Sequence, residues 1–118
     1  MNEQQFKTRT KQLALRVISL VESLPTTKTA DVIGKQVLRS ATSVGANYRA
    51  ACRAKSTADL IAKLSIVEEE ADETLYWLEL LIASRLITAE KLNNLMQETS
   101  EILAMTVASI KTLRQKPK

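Results

Sequence analysis

The densest group of potential metal ligands in the chain is a run of acidic side chains. Glu69, Glu70 and Glu73 form the pattern Glu-Glu-x-x-Glu, and Glu-x-x-Glu follows at residues 98–101. In a helix, carboxylates three or four residues apart project from one face, where they can share a hard cation such as Mg²⁺. Metal-dependent hydrolysis is therefore one chemistry that these residues permit.

The acidic pattern resembles the Mg²⁺ site of helical nucleotide pyrophosphatases of the MazG type, where a later Glu-x-x-Asp motif completes the site. A Mg²⁺-dependent nucleotide pyrophosphatase is the alternative function that this likeness implies. Against it, Glu101 stands where Asp is expected. Helical geometry also places Glu69 and Glu73 nearly opposite the apolar side of their helix, as on a solvated face. We therefore predict no catalytic residue, no metal site and no cofactor.

A second charged group is basic. Residues 26–55 hold six basic side chains and one acidic, whereas residues 56–84 hold one basic and seven acidic. At 100° per residue, four of the cations fall on the side of one helix that faces away from its apolar residues. Such a row can follow nucleic-acid phosphates, or it can be a solvated face paired with carboxylates. The candidate nucleic-acid-binding residues are Lys35, Arg39, Arg49 and Arg53.

The acidic helix also carries apolar side chains away from its core line. That line is Leu60, Leu64, Val67, Ala71, Leu75, Leu78 and Ile82. Three of the apolar residues away from this line, one of them the only Trp of the chain, share a side of the helix with a glutamate. This group is Ile66, Glu73, Trp77 and Leu80. Exposed apolar stripes mark partner surfaces, and Trp is enriched at interface hot spots. We predict an oligomer interface here, with the acids of this helix meeting the basic helix of a neighbouring subunit; the alternative is a Trp at the edge of the core.

The elements that position these residues are predicted to be helices. The 118-residue chain has only two Gly and two Pro, and apolar residues recur at helical spacing in four segments. Pro25 ends the first, Ser56 or Thr57 begins the third, and Thr88 begins the fourth. A single helix over residues 30–84 would be about 80 Å long, which argues for a break. Short loops make neighbouring helices antiparallel.

The predicted fold is therefore all-α, a single domain over residues 1–118 folded as an antiparallel up-down-up-down four-helix bundle. The absence of His excludes Ser-His-Asp catalysis and the HExxH zinc site, and the lone Cys52 excludes a disulfide framework. The polar N-terminal residues and the lack of a long apolar run predict a cytoplasmic protein without a membrane span. We expect no small-molecule substrate.

Three stretches carry a resemblance to a known family. They are LRSATSVGANY at residues 38–48, AKLSIVEEEADE at residues 62–73 and YWLELL at residues 76–81. They resemble the four helix bundle protein family, which includes proteins encoded in intervening sequences of 23S ribosomal RNA genes. The most specific part is the spacing Arg-Ser-x-x-Ser-x-x-x-Asn that starts at Arg39, and the likeness extends over nearly the whole chain.

The resemblance implies an antiparallel bundle that assembles into a ring-shaped homopentamer. A related branch, the accessory variability proteins of diversity-generating retroelements, works with a reverse transcriptase and binds nucleic acid through a basic surface. The implied partners are thus further copies of the chain and RNA, DNA or a reverse transcriptase. Many relatives carry Glu where this chain has Arg49, so this helix is more basic than theirs. We expect a non-enzymatic, self-assembling bundle with a basic binding surface.

Overall fold

Four α-helices make up nearly all of the protein. A computed structural model describes residues 2–116. The helices are α1 (Glu3–Glu22), α2 (Lys28–Ala51), α3 (Thr57–Ala83) and α4 (Ala89–Gln115). No strand occurs within the described residues, so the predicted all-α class is confirmed. None of these helices has an apolar stretch long enough to cross a bilayer.

The helix boundaries follow from capping side chains. The hydroxyls of Thr27 and Ser56 accept hydrogen bonds from backbone N–H groups in the first turns of α2 and α3, at 3.2 and 3.0 Å. Each bond satisfies an N–H group that has no partner inside the helix. The break between α2 and α3 shows that residues 30–84 are two helices, as predicted. Thr88 begins α4 as predicted, although its side chain makes no capping bond.

The turn between α3 and α4 contains a residue in the left-handed region, Arg85, with φ of 64°. Its N–H donates to the carbonyl of Ile82, and the N–H of Leu86 donates to the carbonyl of Leu81. These two bonds form a Schellman motif, in which glycine usually takes the position that Arg85 occupies. The end of α3 therefore cannot be predicted from a glycine in the sequence.

The helices pack in chain order around a main hydrophobic core and a smaller apolar cluster near the junction of α2 and α3, and α1 closes the bundle against α4. The described chain measures 52 × 21 × 20 Å, as expected for long antiparallel helices side by side. The helices α2 and α3 pack most extensively against each other, and α1 and α4 pack least extensively. The up-down-up-down bundle is thereby confirmed.

On α3 the buried side differs from the predicted core line. Thr74 and Leu81 are completely buried, whereas the predicted Leu60, Leu75 and Ile82 are only half-buried. The reason is the direction of packing, because α3 packs more extensively against α2 than against α4. Its buried face is rotated toward α2, where the Thr74 hydroxyl donates to Ser40 Oγ at 2.9 Å.

Candidate functional site

The four candidate nucleic-acid-binding residues do not form one continuous row of available cations. Lys35 lies one turn from Asp31, and its ammonium is 3.1 Å from that carboxylate. Both side chains are well exposed, so water and salt screen this pair strongly. Lys35 therefore keeps a solvated charge with a carboxylate beside it.

Arg39 turns toward α3 and is held there by two carboxylates. Its Nη1 donates to Glu70 Oε2 at 2.9 Å, and its Nη2 donates to Glu73 Oε2. The indole Nε1 of Trp77 donates to the same Glu73 oxygen at 3.1 Å. The acids of α3 thus meet the basic helix within one chain at this point, and their contact with the basic helix of a neighbouring subunit stays a prediction. Arg39 is consequently a cross-link between α2 and α3.

A pair of buried hydroxyl groups lies beneath this cross-link. Ser40 and Thr74 are both fully buried, and their hydroxyl oxygens are 2.9 Å apart. Each oxygen also lies within hydrogen-bond distance of a carbonyl of its own helix, that of Val37 or of Glu70. Buried polar groups must be hydrogen-bonded, so this pair sets the register of α2 against α3. The register in turn brings Arg39 opposite its carboxylates.

Arg49 and Arg53 turn the other way, toward α1, and meet two further cations. Lys7 and Lys11 of α1 line the same open groove of about 520 Å³. We call these four residues and the wall between them the basic groove. The remaining wall residues are small: Thr10, Ala14, Thr42, Gly45 and Ala46. Within residues 2–116, no carboxylate oxygen lies within 4.0 Å of any of the four cations.

The two lysines were absent from the predicted site, because that prediction followed one helix only. The signal was present in the chain, since Lys7 and Lys11 have the same four-residue spacing as Arg49 and Arg53. Recognising it required knowing that the N-terminal half of α1 lies beside the C-terminal half of α2. The close contact of Gly45 with Thr10 shows this register, because a Cβ on Gly45 would lie 3.4 Å from the Thr10 carbonyl oxygen.

The candidate interface residues lie along the α2 side of α3 with unequal burial. Ile66 is 41% exposed, whereas Trp77 and Leu80 are half-buried and pack against the core. Glu73 lies between them and is held by Arg39. We call Ile66, Glu73, Trp77 and Leu80 the assembly face. On α2, Val32 is 54% exposed, and the antiparallel register that pairs Arg39 with Glu73 places it near the level of Leu80.

The two acidic motifs lie at different seams of the bundle, a seam being the line along which two neighbouring helices pack. Glu70 and Glu73 bind Arg39 between α2 and α3. Glu98 accepts two hydrogen bonds from Arg9 of α1, at 2.9 and 2.5 Å, between α1 and α4. The motifs therefore do not converge on one position where a shared cation would bridge them. Among the described residues, no three acidic, His or Cys side chains are arranged to hold a metal ion.

The end of the bundle where α2 leads into α3 contains an open cavity of about 750 Å³. Tyr48 and Cys52 line it together with Glu3 and several apolar residues. Burial raises the pKa of the Cys52 thiol, and the neighbouring Glu3 raises it further. Burial also raises the pKa of the Tyr48 hydroxyl. Both groups therefore stay protonated at neutral pH, which makes Cys52 a poor nucleophile.

Comparison with known proteins agrees with this architecture. Among solved structures, the chain is similar to a Bacteroides thetaiotaomicron protein described as having unknown function and belonging to the S23 ribosomal protein family. The two are 40% identical over 94% of this chain and 99% of that one, with a TM-score of 0.87. No curated protein matches the chain. A family model described as 23S rRNA-intervening sequence protein matches residues 2–108, and the chain therefore belongs to that family.

Proposed function

We propose that this protein is a non-enzymatic, self-assembling bundle that holds nucleic acid by its phosphate backbone in the basic groove. The observation that carries the proposal is the convergence of four cations, from α1 and from the C-terminal end of α2 with the turn after it, without a carboxylate among them. Cations that lack an acidic partner can neutralise phosphates and release the counterions condensed on a nucleic acid. Lys35 and Arg39 contribute less, since carboxylates of this chain already lie beside them.

A binding role is favoured over the nucleotide pyrophosphatase by the positions of the acidic motifs. Their best-placed carboxylates bind Arg39 and Arg9 on separate seams. A hydrolytic site of that kind needs several carboxylates that converge on one cation and share it. In the proposed role, the carboxylates instead hold helices together, and the groove cations contact the ligand.

The second part of the proposal is that another copy of the chain packs on the assembly face. Ile66 and Val32 are exposed aliphatic side chains on this side of the bundle, and Trp77 lies half-buried between α2 and α3. The Arg39 cross-link places a fixed polar centre among them, which can set the register of a partner. Repeated head-to-tail contacts of one face with a different face close into a ring. The homopentamer implied by the family resemblance is such a ring.

Reversing charge in the basic groove tests the binding part of the proposal. We expect Arg49→Glu with Arg53→Glu to weaken binding of a labelled nucleic acid by at least about tenfold in fluorescence anisotropy, with a shallower salt dependence. The control is Lys91→Glu with Lys111→Glu, which changes the net charge equally on α4. Equal losses in the two variants, or binding that is indifferent to salt, would contradict the groove as the site.

Light scattering tests the assembly part. We expect the unmutated protein to be a homo-oligomer at micromolar concentration, and Trp77→Ala with Leu80→Ala to shift it toward monomer. Because both side chains pack against the core, Ile66→Lys is the companion variant, since it changes an exposed residue. Ile18→Lys is the control, since Ile18 is about as exposed as Ile66 but lies on α1, which does not pack against α3. A monomeric unmutated protein would refute this part.

A further inference from the structure

We infer that the basic groove selects double-stranded over single-stranded nucleic acid. This inference rests on the function proposed above and names the class of ligand for the same groove. It follows from two features of the molecule, which are the positions of its aromatic side chains and the arrangement of the groove cations in two rows.

None of the aromatic side chains of the chain lines the basic groove. There are four of them: one Phe, two Tyr and one Trp. Phe6 is buried and packs against the ring of Tyr48, with ring centroids 4.5 Å apart. Tyr76 and Trp77 contact each other on α3, with centroids 5.2 Å apart. Proteins that prefer single strands gain much of their affinity from bases stacked on aromatic side chains, and the groove offers no such platform.

The one well-exposed aromatic residue lies in an unfavourable electrostatic position for a nucleic acid. Tyr76 is 52% exposed, but Asp72 and Glu79 lie one helical turn before and after it on the same side of α3. These carboxylates repel phosphates, so a strand held in the groove gains nothing by extending to Tyr76. The exposed aromatic ring therefore lies on a different helix from the cations that would bind phosphate.

The groove itself is shaped for a phosphate backbone. Lys7 and Lys11 are one turn apart on α1, and their positions span about 6 Å along the helix at 1.5 Å per residue. Opposite them, Arg49 lies in the last turn of α2 and Arg53 in the turn that follows the helix. The wall between the rows is built of small side chains and Gly45, which leaves room for a backbone rather than for splayed bases. A duplex carries about one charge per 1.7 Å, a denser array of phosphates than a single strand offers.

The test compares one DNA sequence in two forms. A labelled mixed-sequence duplex of about 24 base pairs and one of its separated strands are each titrated with the unmutated protein at about 50 mM salt. We expect the duplex to bind at least about fivefold more tightly, and the preference to disappear with duplex binding itself in the Arg49→Glu, Arg53→Glu variant. A second arm adds the missing platform. Ala46→Trp, at an exposed position on the groove wall, is expected to raise single-strand affinity by about fivefold.

Ala58→Trp is the matched control, since Ala58 is exposed at the start of α3 outside the groove. Equal or tighter binding of the single strand, abolished by the charge reversal, would overturn this inference and leave the proposed function standing. A duplex preference that survives the charge reversal would also overturn it, because another surface would then make the selection. If neither form binds, the proposed function fails, and this inference fails with it.

Discussion

Arg39 and Arg49 stand on the same helix and meet opposite electrostatic environments. Arg39 points at two carboxylates of α3, whereas Arg49 shares a groove with two lysines of α1. An arginine between two carboxylates gains charge-assisted hydrogen bonds inside the protein. An arginine among cations gains none and is stabilised by binding an anion. Residues of one type thus divide into arginines that are paired within the chain and arginines for which we propose a ligand-binding role.

The structural role of Arg39 predicts a loss of stability when it is replaced. We expect Arg39→Met to lower the free energy of unfolding by about 1 kcal/mol, because the half-exposed guanidinium bridges two carboxylates. Lys35→Met is the matched control, and its exposed pair with Asp31 is expected to contribute less than about 0.5 kcal/mol. Urea unfolding followed by the fluorescence of Trp77 measures both. A loss no larger than that of the control would contradict the cross-link.

At the scale of the element, α3 and α4 differ in whether a side chain caps the first turn. Ser56 accepts a hydrogen bond from the N–H of Asp59, and the Asp59 carboxylate accepts one from the N–H of Lys55. The bonds from Lys63 and from that N–H lower the pKa of Asp59. Thr88 occupies the same position before α4 without a capping bond. Helix starts that look equivalent by residue type therefore differ in stabilisation.

This difference predicts unequal effects of the same kind of substitution. We expect Ser56→Ala to lower the free energy of unfolding by about 1 kcal/mol, the typical value for a lost N-cap. Thr88→Ala removes no capping bond and is expected to change it by less than about 0.5 kcal/mol. Thermal unfolding followed by circular dichroism compares the two variants. An equal loss in both would show that the Ser56 bond contributes little.

At the scale of the whole molecule, the bundle closes through its most polar seam. Arg9 of α1 donates to Glu98 and Glu101 of α4 and contacts Met105 Sδ at 3.3 Å. The hydrogen bond to Glu98 raises the pKa of Arg9. Because α1 packs less extensively on α4 than the other neighbouring helices do on each other, these polar contacts carry a large share of the closure.

Because Arg9 connects α1 to α4, replacing it is expected to destabilise the protein more than replacing Arg16, the other α1 arginine that bonds to α4. We expect Arg9→Met to lower the free energy of unfolding by about 1–2 kcal/mol, since it removes charged hydrogen bonds to a half-buried carboxylate. Arg16→Met removes one hydrogen bond to the neutral Asn94 and is expected to have a smaller effect, about 0.5–1 kcal/mol. Denaturant unfolding at low and high salt measures both, and only the Arg9 contribution should weaken as salt rises.

The sequence alone determined the helical segments, their antiparallel order and the family of this protein. These features depend on residues within a few turns of one another, such as the apolar repeat of α4 and the hydroxyl before α3, so they can be read along the chain. The buried face of α3 was predicted less well, because the rotation of α3 toward α2 buries Thr74, and its hydrogen-bond partner Ser40 lies on another helix.

The tertiary structure alone decided how the charges are used. It brought Arg39 to the carboxylates of α3, and it added Lys7 and Lys11 to Arg49 and Arg53. The physical reason is that charge pairing depends on which helices are neighbours and on how each is rotated about its axis. Periodicity specifies the apolar side of a helix, but it does not specify what lies across from its polar side.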